Sequence, residues 1–569
     1  MMVSQAREQG RNRLWYEHQP YDFKPHERPF MPGSPATPDH PLPRRVGYLL
    51  IGILLGIAGG FANGLLLANV QQIQGAFGLS SVEAGWLTAA WSMTSVCTSL
   101  LLIKFRQQFG IANFARIFLP AFALLSLAQL FMHQYELELG VRALGGIVGS
   151  GLTNFCLFYV MQFFPGKARL AGMALGVGLS QLALPLARVL SPLLLVHGDV
   201  QHLFAFELGL SLLCLACVGV LPLPPSVRVH AFEPLDLVTF VLFAPGMALL
   251  CAVLAQGRTV WWTTPWLGYA LAGAIVLIAA AMLVEHNRAN PLLNVRWMAS
   301  SDIVTFALIA ASMRVLLSEQ NFGSAGLLAT AGMLPDQLVV FYGVITLATL
   351  AGLVASLVTL NPQDLLRPVV ISSALIAIGA WMDSDASNLT RPANLYASQA
   401  LIAFAAIYFV GPLMMTGIVR AMARGPSHIV SFSAVFGISQ TLGGLAGSAL
   451  LGSLQVWRER LHSNELVQGI TLTDPLDAAR INALGAAYGR VLSDPSLRSA
   501  EGAVLLGQQV TREANILAYN DVFMVIAVLA TVAFLATGTR WTYYRIHGIN
   551  PLAEDMAALQ RMREAKANG

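Results

Sequence analysis

Residues 46–70 read VGYLLIGILLGIAGGFANGLLLANV, and this run decides the class of fold. It holds no charged residue, and its polar side chains are Tyr48, Asn63 and Asn69. A bilayer core takes about 20 apolar residues of helix to cross, so the run reads as a membrane-spanning helix. Similar runs recur at 84–103, 114–133, 140–163, 168–195, 202–222, 236–256, 264–284, 301–320, 338–360, 368–382, 394–418, 429–456 and 517–538, which makes about fourteen spans. Residues 321–337 are apolar too, but their Gly and Pro content reads as the end of a helix and a loop.

The whole chain agrees with that start. Of its 569 residues 56% are hydrophobic and 11% charged, and the mean hydropathy is +0.62. Soluble domains are about 25% charged. So little polar surface makes lipid the solvent for most of the chain. The net charge of +4 is small and scattered and points to no nucleic-acid partner. Cys97, Cys156, Cys214, Cys217 and Cys251 all lie in apolar stretches, whereas a disulfide framework would sit in exported loops. The Cys214/Cys217 spacing is that of a CxxC, but within LLCLACVGV it reads as two small apolar side chains. Residues 1–45 are polar, charged and proline-rich, and read as a partly disordered cytoplasmic tail without a cleavable signal.

Basic residues set the orientation. One set of loops holds Lys104, Arg106, Arg116, Lys167, Arg169, Arg228, Arg288, Arg296, Arg367, Arg420 and Arg424; the opposite set holds Arg258 and Arg391. The first set is expected to be cytoplasmic, and an even number of spans then puts both termini there. The basic C-terminal tail, with Arg540, Arg545, Arg561, Arg563 and Lys566, agrees. One outer loop is long, 457–516. In it Thr473-Asp474-Pro475 and Ser493-Asp494-Pro495 each look like a helix start, a capping residue before a proline at the first helical position. The second of these helices is expected to run straight into the last span, giving a small external hairpin too short to be an enzyme domain.

Glycines recur at four-residue spacing: Gly52, Gly56, Gly60 and Gly64 in span one, Gly172 and Gly176 in span five, Gly443 and Gly447 in span thirteen. Such stripes let helices approach closely, as static packing or as a sliding seam. Ionisable residues inside spans are costly and usually face a bundle interior or a wet cavity. Arg142 lies near the outer end of span four, Arg188 within LPLARVLSP of span five and Glu207 just inside span six. Arg314, Glu319 and Gln320 lie within MRVLLSEQNFG of span nine, and Asp521 opens the last span. Asn63 is a lone polar group in span one. Structural alternatives exist for each: an ion pair of Arg188 with Glu207, a pair of Arg314 with Glu319, an interfacial Asp521, an interhelical hydrogen bond at Asn63.

Enzyme and ATPase signatures are missing. Pro165-Gly166-Lys167-Ala168 lacks the glycine and the Ser/Thr of a phosphate loop. No HExxH, GxSxG or metal-spaced His/Cys group appears, so no metal or cofactor is expected. Energy would then come from an ion gradient or from the substrate's own gradient.

The order of these features resembles the fourteen-span drug:proton antiporter branch of the major facilitator superfamily, and among its members the inner-membrane pumps of EmrB-type tripartite systems. RALGGIVG at 142–149 looks like that family's span-four motif, an arginine followed by a glycine-rich turn. FPGKAR at 164–169, NPLL at 290–293, SFS at 431–433 and QQV at 508–510 are also similar to it. The departures are definite. Ala62-Asn63 stands where the family carries an acid in span one. The loop after span two keeps Arg106 and Gly110 but not an Asp-Arg pair. The span-five Gly-Pro motif is reduced to Pro185 and Ser191-Pro192, with Arg188 between.

The resemblance implies an all-α membrane protein of major facilitator fold: two six-helix bundles, 46–222 and 301–538, two extra spans and a linker at 223–300, and tails at 1–45 and 539–569. It implies a bacterial inner-membrane exporter of drugs or toxic organics by proton antiport, working with a periplasmic adaptor and an outer-membrane channel. A dedicated exporter of one metabolite, such as a siderophore or organic acid, is the alternative, and a non-transporting sensor or assembly partner is a third. Coupling needs a carboxylate that exchanges protons, and Glu207 or Glu319 is expected in that role, with Arg142 or Arg314 as charge partner. Arg188 and Arg314 suggest that an anionic or zwitterionic small-molecule substrate is tolerated.

Overall fold

The computed structural model describes residues 23–24, 27–29, 33–131, 134–164, 169–195, 198–288, 290–425, 427–471 and 473–568. Thirteen of its helices are long and apolar enough to cross a membrane. They are Leu42–Ala68, Ser81–Phe109, Ile111–Phe131, Tyr135–Phe163, Ala171–Leu194, Gln201–Val220, Pro234–Val260, Pro265–His286, Ser301–Thr330, Pro335–Val358, Pro392–Arg424, His428–Gln468 and Pro495–Ile546. Arg367–Asp383, 17 residues, is a shorter fourteenth. These are spans one to fourteen in chain order, with Arg367–Asp383 as span eleven.

Local chemistry sets their ends. Ser80 opens span two: its hydroxyl accepts from Glu83 N at 3.3 Å while the Glu83 carboxylate accepts from Ser80 N at 2.8 Å, a reciprocal cap. Asp474 and Asp494 accept from Leu476 N and Ser496 N, each at 2.8 Å, and open Pro475–Ala486 and Pro495–Ile546. The second helix does run unbroken into span fourteen, 52 residues in all. The stretch 321–337 is the end of a helix and a turn, as expected. Span nine continues through a π-helical turn, Glu319–Ser324, and a further helical stretch, Ala325–Thr330, before the chain turns.

Spans one to six pack on one another, and so do spans nine to fourteen. The glycine stripes lie inside these halves. A Cβ on Gly52 or Gly56 would meet Val160 or Cys156 of span four at 2.7 and 2.8 Å. Gly176 faces the Leu157 backbone of the same span, and Gly443 packs on Arg314 and Ala311 of span nine. The stripes therefore hold each bundle together and do not form the seam between bundles. That seam is made by span five against spans ten and twelve, and by span two against span thirteen. Spans seven and eight form the extra pair. Met247 and Cys251 of span seven join Cys97 and Leu100 of span two and Val430 and Ala434 of span thirteen in one buried cluster, so span seven caps the seam.

Fourteen crossings bring both ends of the chain to one face, here called the tail face. Residues 33–40 of the N-terminal tail pack there. Gly33 N donates to Val227 O at 3.1 Å, Ala36 N to Pro225 O at 2.9 Å, and Gln162 Nε2 to Ala36 O at 2.9 Å. Gly33 has φ +77°, and a Cβ would lie 2.9 Å from the Gln107 backbone, so only glycine fits. The rest of the tail (1–22, 25–26 and 30–32) lies outside the described residues, as do Lys167 and its neighbours at 165–168.

A charge network ties the extra pair to the tail face. Lys104 Nζ lies 2.5 Å from Asp236 Oδ2. Arg288 reaches Asp236 at 3.0 Å, Glu285 at 2.7 Å and Glu233 at 2.8 Å. Glu285 also accepts from Thr239 Oγ1 and, at 3.1 Å, from Leu293 N. The loop that lacks the Asp-Arg pair thus anchors through Lys104 to span seven.

Candidate functional site

Away from the tail face, three groups of polar residues inside the spans bear on function. The first is in the N-terminal half. Arg142 is buried in span four, where its Nη1 donates to Ala62 O at 2.8 Å and its Nε to Glu138 Oε1 at 3.0 Å. Gln129 Nε2 donates to the same oxygen at 3.0 Å, and Glu138 Oε2 has no hydrogen-bond partner. Glu207 of span six is buried beside Arg142 and Glu138. Arg142, Glu207, Gln129, Ser126, Trp91 and Ala62 line a cavity with about 10 Å³ open to the centre of a water molecule, room for about one water. Asn63 follows Ala62, and its buried Oδ1 is unpartnered. Two carboxylates therefore face one guanidinium.

The second group is in the C-terminal half, on spans nine, eleven and twelve. Gln399 Nε2 donates to Glu319 Oε1 at 2.9 Å and to Asp383 Oδ2 at 2.7 Å. Gln320 Nε2 donates to Gln399 O at 3.3 Å, and Ser324 Oγ to Gln399 Oε1 at 3.2 Å. Glu319 and Gln399 have no exposed surface and Asp383 keeps 2%. No ion pair reaches either carboxylate among the described residues. The expected partnership of Glu319 with Arg314 is thus replaced by an amide bridge to a second acid.

The third group lies at the seam. The Arg188 guanidinium stands 4.8 Å over the Tyr342 ring of span ten, a cation–π contact between halves. Arg314 Nη1 of span nine donates to Gln181 Oε1 of span five at 3.5 Å. Both arginines are half-buried, and neither has an ion-pair partner among the described residues. Arg188 does not pair with Glu207, which faces Arg142 instead. Asp521 is tied to span thirteen, with Arg458 Nε at 2.6 Å and His462 Nε2 at 2.7 Å.

Of the residues singled out from sequence, Arg142 and Glu207 come together, with Asn63 next to the carbonyl that holds Arg142. Glu319 and Gln320 meet around Gln399, and Arg188 and Arg314 stand on the seam. Glu138, Gln129, Asp383 and Gln399 join them and are not among the residues that the sequence singles out. Glu138 is four residues before Arg142, the spacing of a helical ion pair. Asp383 is one residue beyond the expected end of its span.

No family model matches the sequence. A curated relative does. The chain is 22% identical over 486 residues to the multidrug export protein EmrB of Haemophilus influenzae, covering 81% of this chain and 89% of that one. Among solved structures, a peptide transporter POT matches with a TM-score of 0.53 at 13% identity, over 90% of this chain and 97% of that one. The human organic anion transporter MFSD10 (TETRAN) matches with 0.51 at 15% identity, over 86% and 100%. At such identities the structural likeness establishes the architecture alone.

Proposed function

We propose that this chain, which has the major facilitator fold, is a secondary transporter that exports small organic molecules across a bacterial inner membrane in exchange for protons. The observation that carries the reading is the placement of Arg188 and Arg314: two guanidiniums where the halves meet, without ion-pair partners among the described residues. In folds of this kind the substrate is held between two halves that rock about it near the midplane. A cation kept there without a carboxylate leaves its donors for an anionic or zwitterionic substrate.

Sequence likeness to a multidrug export protein supports export, with drugs or toxic compounds as cargo. A dedicated exporter of one organic acid or siderophore is the second reading, and the same two arginines favour it. The basic loops put the tail face in the cytoplasm. The hairpin around Pro475–Ala486 then stands in the periplasm, with Leu476 and Val491 exposed on it, as a docking surface for a periplasmic adaptor that leads to an outer-membrane channel.

The test is efflux of anionic and cationic dyes from cells, with and without a protonophore, comparing wild type with R188Q and R314Q. The protonophore is expected to abolish efflux. Each variant is expected to lose anionic-dye efflux about tenfold or more, the scale of one charge-assisted hydrogen bond of about 1.5–3 kcal/mol, with cationic dyes less affected. Anionic efflux at the wild-type rate in both variants would remove the basis of the reading.

A further inference from the structure

Glu319, Asp383 and Gln399 form a closed polar cluster whose charges do not balance. Two carboxylates converge on one amide, at 2.9 and 2.7 Å from the same nitrogen. With both acids ionised the cluster holds two negative charges against one NH2 group and the Ser398 hydroxyl, neither of them a cation. Taking a charge out of water without a partner is expensive, and like charges at one donor repel. One proton shared by the pair removes that repulsion.

Among the described residues the neighbours supply no compensating cation. From span fourteen, Phe523 packs on Gly323 and Tyr519 on Gly326. From span thirteen, the Gly447 backbone packs on Ser318. From span twelve, the Ser398 hydroxyl sits beside Asp383 but also bonds to Leu395 O at 3.0 Å. From span seven, the Arg258 guanidinium rests 5.1 Å over the Phe322 ring and makes no ion pair with either acid. A second observation points to a ligand independently. Glu319 Oε2 is fully buried and has no hydrogen-bond partner, so one oxygen of the cluster is left for a species too small to need a pocket. A metal ion does not suit the gap, because the Gln399 N–H groups already point at both carboxylates. The π-turn that starts at Glu319 is a further sign, since such turns concentrate at functional sites.

We propose that Glu319 and Asp383, bridged by Gln399, are a single proton-binding site in the C-terminal half, holding one proton in this closed arrangement and exchanging it when span nine shifts against spans eleven and twelve. This rests on the proton-exchange reading above and locates it. Gln399 is a positioning residue, keeping the two acids on one donor. Arg314 plays no part in the pair and remains with the substrate.

The experiment is infrared titration of the purified full-length protein in lipid vesicles, following the carbonyl stretch of protonated carboxyl groups. Wild type, E319Q, D383N and, as a control on a carboxylate paired instead with Arg458 and His462, D521N are compared. Wild type and D521N are expected to show a carboxyl band that disappears on alkaline titration, with E319Q and D383N each losing the part of it that the pair contributes. If E319Q fails to insert into membranes, D383N decides alone. An unchanged band in D383N overturns the site. The dye assay separates the two readings. A titrating band with efflux indifferent to a protonophore leaves the site standing and refutes antiport. Proton-driven efflux that survives both E319Q and D383N refutes the site and leaves antiport standing.

Discussion

Replacing Arg142 by methionine removes the single cation from a buried cluster that holds Glu138 and Glu207. Arg142 keeps 3% of its surface and Glu138 1%, and they pair at 3.0 Å. Breaking a buried pair by deleting one partner costs about 3–5 kcal/mol, because the remaining charge is stranded, which is a fall of about two to four orders of magnitude in the folded-to-unfolded ratio. Neutralising the stranded acids should return most of it, since a buried ion pair replaced by apolar or neutral groups is often no less stable. The expected order of stability is R142M lowest, R142M/E138Q higher, and R142M/E138Q/E207Q close to wild type. The protein carries its own reporter. Cys97, Cys156, Cys214 and Cys251 are free and buried, and Cys156 is in the same span as Arg142. A thiol-reactive dye that fluoresces on coupling reads their exposure as the purified protein is heated. Melting of R142M at the wild-type temperature would refute the reasoning. So would a triple variant no more stable than the single one, because the loss would then come from packing and not from charge.

At the tail face, R288M should destabilise more than K104M, since Arg288 answers three carboxylates whereas Asp236 keeps Arg288 when Lys104 is gone; the same thermal dye assay ranks them. A Cβ on Gly485 would collide with Arg498 O, and one on Gly502 with Ile481 O. G485A or G502A should therefore raise hydrogen exchange across 475–500 while leaving the melting of the spans unchanged. His40 answers to pH. Burial, the largest influence, pushes its imidazole below the usual value, although the bond with Gln162 opposes this. The unfolded tail then binds the proton more tightly than the folded one. The stabilisation from His40 is complete above about 6.5, the unfolded value, and is lost as pH falls below it. Trypsin cleavage at Arg44 and Arg45 should accelerate on acidification in wild type, relative to H40Q.

The membrane class, the fourteen spans and the capped hairpin were all legible in the sequence, because each rests on a local rule: a run of apolar residues, or Asp-Pro at a helix start. The buried acids were only half legible. Glu207 and Glu319 stand out as charges in apolar runs, but their partners depend on which helices meet. Glu138 fell outside a span judged by hydropathy to begin at 140. Asp383 ended one judged to stop at 382. Gln399 is uncharged, and nothing in its own stretch of sequence sets it between two carboxylates. The glycine stripes announced close packing without saying against what, and their partners proved to be inside each bundle. The segment from Gly33 to His40 is polar and rich in proline, and its order comes from the backbone groups of Val227 and Pro225, which no local pattern reveals.

Span fourteen and the helix before it are one piece, Pro495–Ile546, with no proline after its first position. At 1.5 Å per residue this rod is about 78 Å long, more than twice the thickness of a hydrocarbon core. One end carries Trp541, whose Nε1 donates to Asp364 at the tail face at 2.9 Å, and the other closes against Pro475–Ala486. A stiff rod works as a lever: tilting it by about 10° about its midpoint carries each end about 7 Å, in opposite directions. Mechanical coupling between the two faces of the molecule thus comes with the length of a single helix, and whatever grips the hairpin feels the tail face move.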